Sequence, residues 1–148
     1  MVFKMRQIKI ILVILILNIF SGKVYSQNDK FTFIANDIDF KTTTLKNIKA
    51  VFRGKYSSWK NNQNVIIVLP STKSENASDV AKYLYETSVT GMQKFWLSQV
   101  FQGRSNPPIF LENDSEIIEY VRKNSGSIGI VRSNSINIPN NLKIIITN

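Results

Sequence analysis

Residues 65–69 read Val-Ile-Ile-Val-Leu and are stopped at once by Pro70. Side chains alternate between the two faces of a strand, so five apolar residues in a row leave neither face fit for water. Such a strand belongs inside a sheet covered on both sides. The flanking sequence supplies the covers. Leu45, Ile48, Val51 and Phe52 recur at helical spacing, with Thr43 or Thr44 as a cap in front and Gly54 as a stop behind. Residues 77–88 place Val80, Ala81 and Leu84 on one helical face, and residues 92–101 carry Phe95, Trp96 and Val100. Asp114 or Ser115 caps a further helix that turns Ile117, Ile118 and Val121 inward and ends at Asn124-Ser-Gly126. Strands are expected at 31–35, 127–131 and 142–147, a loop at 36–44, and a turn region at 102–109 with Gly103 and Pro107-Pro108. The order β-α-β-α-α-α-β-β predicts an α/β domain of three layers, a mixed sheet with helices on both faces.

The N-terminus is of another kind. Lys4, Arg6 and Lys9 precede an apolar run over 10–20 broken only by Asn18, and residues 21–26 form a short polar tail with Val24 and Ser26 at the small-residue positions. That pattern predicts a cleavable signal peptide over 1–26, a cut ahead of Gln27, and one exported domain over 27–148 in the periplasm. The apolar run is about half the length needed to span a bilayer, so no stable membrane span is expected after cleavage. No Cys follows it to carry a lipid.

Removing the leader leaves 122 residues with 15 basic and 10 acidic side chains, a net charge of +5. This mild excess suits an anion or an acidic surface and lacks the dense basic stripe of a nucleic-acid binder. With neither Cys nor His in the chain, a Ser-His-Asp or Cys-His nucleophile cannot be built, an ordinary zinc site is not expected, and stability rests on packing alone. No cofactor and no catalytic activity are expected.

Four stretches carry a resemblance when taken in order. They are Leu45-Lys-Asn-Ile-Lys-Ala-Val-Phe-Arg-Gly-Lys55 with Trp59; the strand at 65–69 with the polar loop and helix after it; Phe95-Trp96 with Phe101-Gln-Gly103 and Pro107-Pro108; and Asn124-Ser-Gly-Ser-Ile-Gly-Ile-Val131. Together they resemble the substrate-binding protein of ABC phosphate transporters, a type 2 periplasmic binding protein. Members of that family close two α/β lobes on a ligand. The resemblance covers most of residues 31–148 and implies a short form with one lobe. It implies a phosphate-type binding-like protein, with inorganic phosphate or a related oxyanion as ligand, bound weakly.

The loop Ser71-Thr-Lys-Ser-Glu-Asn-Ala-Ser78 joins the buried strand to a helix N-terminus, where free N–H groups and the helix dipole favour an anion. Ser71, Thr72, Ser74, Asn76 and Ser78 are the candidate ligand-binding residues, with Lys73 adding charge. In the resembled family a run like R-x-x-G-S-G-T holds phosphate here. In helix register Ser74 falls on the family serine, while Pro70, Glu75 and Asn76 replace the arginine, a glycine and the threonine. The alternative is that Ser74, Asn76 or Ser78 merely caps the helix. Gly126-Ser-Ile-Gly129 lines the cleft in the family, but a helix C-cap at Gly126 and tight packing at Gly129 account for it more simply.

Trp59, Phe95, Trp96 and Phe101 are expected in the core rather than on a stacking surface. Lys46, Lys49, Arg53 and Lys55 read as a solvated face that could steer anions. Glu112, Asp114, Glu116 and Glu119 suit the dipole of a helix start, without calcium-loop spacing. The runner-up function is a periplasmic interaction module that kept the fold and lost the ligand, working as a homodimer or on a protein partner.

Overall fold

The computed structural model describes residues 30–135 and 137–147. The leader read at 1–26 lies outside them. The elements run β1 (Phe31–Ala35), β2 (Thr42–Thr44), α1 (Leu45–Phe52), β3 (Ile66–Pro70), α2 (Ala77–Tyr85), α3 (Val89–Phe101), β4 (Ile109–Leu111), α4 (Asp114–Lys123), β5 (Ser127–Arg132) and β6 (Ile145–Thr147). The main sheet has the order β1-β5-β3-β4. β3 is parallel to both β4 and β5, and β1 runs antiparallel to β5 with Phe31 opposite Arg132.

The apolar run sits where its two wet-intolerant faces require. Ile67 and Leu69 face one core with Phe33, Ile48, Phe52, Val80, Leu84, Met92, Trp96, Ile128 and Ile130. Val68 faces the other with Ile34, Ile117, Val121, Val131 and Leu142. α1, α2 and α3 thus cover one face and α4 the other, the expected three-layer arrangement. The connections follow from handedness. From β3 the chain crosses to β4 on one side through α2 and α3, then returns past β3 to β5 through α4. Crossovers made in opposite directions with one hand must use opposite faces.

Several boundaries differ from expectation. β3 ends on Pro70, which lies beyond the residues 66–68 paired with β5, so its missing N–H costs no bond on that side. α2 stops at Tyr85 because Glu86 turns left-handed, at φ +57°, instead of running to residue 88. Ser88 then caps α3 by accepting from the Gly91 N–H, so that helix starts three residues before Met92. β4 emerges from the end of the turn region after Pro108. β2, read as loop, forms a short parallel pair with β6, Thr42 opposite Ile145. Residues 142–144 reach β1 first: the Ile144 N–H donates to the Phe33 carbonyl, and the Ala35 N–H to the Leu142 carbonyl. Thr44 is the α1 cap.

The aromatic expectation holds for Trp59 and Trp96, which are buried, but not for Phe101, 82 % exposed. Phe101 lies five residues beyond Trp96, about 140° around the helix and on the opposite face. Leu97 and Val100 are exposed beside it.

Candidate functional site

α2 and α4 start at the carboxyl ends of neighbouring parallel strands and leave to opposite faces of the sheet. A crevice opens where adjacent connections diverge in this way, outside the strand ends. It is a cleft of about 470 Å³. One wall is Lys73, Ser74, Glu75 and Asn76 before α2; the other is residues 112–115 at the start of α4, closed off by Arg132 at the end of β5 and Ser135 beyond it.

Local sequence explains the first wall. The Ser74 N–H donates to the Ser71 carbonyl, and the Ser74 carbonyl accepts from the Ala77 N–H, so residues 71–77 turn tightly into the helix. The Ser74 hydroxyl accepts from the Asn76 N–H at 3.3 Å. Asn76 itself makes no side-chain cap. It is 6 % exposed and donates through Nδ2 to Asp114 Oδ1 at 2.8 Å, while its Oδ1 is buried with no partner among the described residues. Ser71 anchors its backbone on the Leu111 carbonyl at 2.7 Å, and its hydroxyl is likewise buried and unpartnered. Of the candidate ligand residues, Ser74 and Asn76 line the cleft together with Lys73. Ser71, Thr72 and Ser78 are not among its lining residues, and Thr72 and Ser78 point to solvent.

The second wall corrects one expectation. Asn113, not Asp114 or Ser115, caps α4: its side chain accepts from the Glu116 N–H at 2.9 Å, and Glu116 reaches back to the Glu112 N–H at 3.0 Å. The pair resembles a capping box, legible as Asn-x-x-Glu, except that Glu116 takes the N–H of the residue before the cap. Asp114 is released for another task. It accepts from Asn76, from the Arg132 backbone N–H at 3.0 Å and from the Ser135 hydroxyl. One carboxylate therefore ties the starts of α2 and α4 to the end of β5. Glu119, further along α4, is held down to about 2 by hydrogen bonds from Arg122 and then Lys123.

Three of the cleft's charged or polar groups escaped sequence reasoning: Asp114 in this role, Arg132 and Ser135. Arg132 directly follows the strand expected at 127–131, but only the order of strands brings it beside residues 73–76. Its Nη1 stands 3.7 Å from Glu75 Oε2, and its Nε is buried without a partner among the described residues. The lining holds two cations, Lys73 and Arg132, and three carboxylates, Glu75, Glu112 and Asp114, one more negative than positive group. A second cavity, of about 810 Å³, lies on the other side of Arg132, bordered by Lys30, Thr32, Asp79 and Ile144.

The remaining candidates are structural. Gly126 has φ +78°, and a Cβ there would stand 2.6 Å from the Asn64 carbonyl oxygen. A Cβ on Gly129 would come within 2.9 Å of Ile117. Lys49 and Arg53 lie near Glu86, at 3.9 and 3.5 Å. Among the described residues no group of three or more acidic side chains could hold a metal ion, and no helix is long and apolar enough to cross a membrane.

No protein-family model matches the sequence, and no curated protein matches it. Solved structures do. PstS from Borrelia burgdorferi aligns at 17 % identity with a TM-score of 0.51, over 69 % of this chain and 40 % of that one. A protein from Clostridium perfringens, described as a phosphate ABC transporter substrate-binding protein with bound phosphate, aligns at 14 % identity and 0.55, over 80 % and 44 %. An ABC-type phosphate transport receptor from Vibrio cholerae aligns at 13 % and 0.47, over 73 % and 42 %. The chain spans less than half the length of these proteins. At such identities the first two likenesses bear on fold alone: the chain has the mixed α/β architecture of part of a substrate-binding protein.

Proposed function

We propose that this chain is an exported, non-catalytic substrate-binding-like protein of the periplasm whose cleft takes a small tetrahedral oxyanion, inorganic phosphate or a relative, and holds it weakly. The observation that carries the reading is the position of the cleft, at the switch point between the carboxyl ends of β3 and β4, with two helix N-termini facing it. One solved structure with this architecture is described as a phosphate ABC transporter substrate-binding protein with bound phosphate, which favours the same ligand class. Weakness follows from the lining. Glu75, Glu112 and Asp114 outnumber the two cations, and a cleft with no second lobe over it leaves the anion hydrated on one side, where each hydrogen bond counts for less.

Calorimetry with phosphate and with sulfate at low ionic strength tests this. Millimolar binding that weakens with added salt and with Ser74→Ala is expected. An absence of heat with tens of millimolar of either anion would overturn it.

The runner-up, an interaction module that lost its ligand, is favoured by one feature: the exposed apolar edge Leu97, Val100 and Phe101 of α3. It predicts self-association or partner capture lost on Phe101→Ser, with no anion binding.

A further inference from the structure

The loop after β3 offers an anion only one cation, Lys73. A second comes from elsewhere in the fold, and its present contacts are poor. Arg132 ends β5, and its backbone is pinned in the cleft wall by Asp114. Asp114 is itself fixed by Asn76 and Ser135, so the root of the arginine side chain is placed relative to both helix starts. The guanidinium is less settled. Its Nε is shut away from water with no acceptor among the described residues, a costly state for a donor. Its Nη1 faces Glu75 at 3.7 Å, beyond hydrogen-bond length. The Glu75 side chain is 89 % exposed, so little holds it in place, and a solvent-screened ion pair of this kind contributes little.

We propose that Arg132 is the oxyanion clamp of this cleft and that Glu75 is its internal competitor, occupying the guanidinium until an anion displaces it. This rests on the oxyanion reading given above and adds to it the group that grips the anion and the group that limits affinity. A tetrahedral oxyanion presents paired oxygens that match the planar fork of arginine and take the two Nη groups end-on, in the place Glu75 now faces. Glu75 needs only to rotate into solvent. Its carboxylate stands in the first turn before α2, so it opposes the anion twice, by holding the arginine and by repelling the incoming charge.

The test is a titration of inorganic phosphate into the purified wild-type protein and three variants, read by calorimetry at low ionic strength. Glu75→Gln is expected to tighten binding about fivefold, the effect of removing one solvent-screened unit charge at contact distance. Arg132→Gln is expected to weaken it by about tenfold or more, and Arg132→Lys to recover only part of the loss, because a point charge lacks the fork. Equal binding by wild type, Glu75→Gln and Arg132→Gln would overturn the clamp while leaving the oxyanion site standing. No binding by wild type or by Glu75→Gln would overturn both. A measurement on the wild type guards against a variant that fails to fold: the Arg132 guanidinium N–H resonances, Nη included, should move as phosphate is added. Resonances that stay in place at saturation would sink the proposal.

Discussion

Gly126 turns the chain from α4 into β5 with φ +78°. Its carbonyl accepts the Trp59 indole N–H at 2.8 Å, and the site of a Cβ is already taken by the Asn64 carbonyl oxygen. The left-handed conformation and the clash add, so Gly126→Ala should destabilise the protein by about 2 kcal/mol or more. Equilibrium urea unfolding would show this; an unchanged midpoint would mean that the turn can relax. Gly126 was legible as the turn that follows α4, because glycine after a helix has a local cause, although the C-cap itself is Asn124 and not Gly126. Arg132 was not legible as a neighbour of Ser74, because nothing local links them. The loop at 71–76 announced itself by its polar composition between a buried strand and a helix. The groups facing it depend on which strand lies beside β3, and strand order is a property of crossovers rather than of any short stretch.

The three helices on one face of the sheet are joined by a buried polar relay. The Trp96 indole donates to the Tyr85 hydroxyl at 2.9 Å, and Tyr85 donates to the Phe52 carbonyl at 2.7 Å. α3, α2 and the last residue of α1 are thereby held in one register, with burial pushing the Tyr85 hydroxyl well above its ordinary pKa. Tyr85→Phe removes the middle of the relay and strands a buried indole N–H, at an expected cost of about 1–3 kcal/mol. A loss within 0.3 kcal/mol, roughly that of a neutral surface change, would show that the relay is dispensable. Core elements were read well from the sequence: β1, β3, α1 and β5 came out within a residue or so because their apolar period is strong. Short elements were not. β2 is three threonines whose only reason to be a strand is β6, and no local pattern can supply a partner about a hundred residues away. Phe101 was misassigned for a related reason. Its aromatic character argued for the core, while its angle around α3 put it outside.

The end of the molecule opposite the cleft is stitched by Asp37, whose carboxylate accepts from the Ser125 hydroxyl at 2.6 Å and from Gln63 at 2.7 Å. Those bonds, Ser125 first, hold the Asp37 pKa below its ordinary value of 3.8. Asp79 is lowered by Lys30 in the same way, and Glu119 falls from 4.5 to about 2. A carboxylate lowered in the folded state supports folding fully above its unfolded pKa and loses that support as pH falls through the folded one. Stability should therefore hold above about pH 4.5 and decline toward pH 2. Glu119→Gln combined with Asp37→Asn should flatten that decline in urea midpoints measured against pH. Parallel acid limbs for the two proteins would contradict the assignment. All three carboxylates face solvent, so the slope should be shallow and reduced by salt.

The pairing of β1 with β5, and of β2 with β6, also sets a timetable. Thr32 meets Ser133 across 101 positions, and Thr43 meets Thr147 across 104. Each closure waits for loop entropy to be overcome before any contact rewards it, which slows topologies of this kind. Until residues 127–132 are available, β1 has no strand to pair with in the main sheet and stays detached from the β3–β4 pair, which needs none of them. Closure of the sheet therefore arrives late, and a chain of this design keeps its first strand pliable for as long as β5 is withheld.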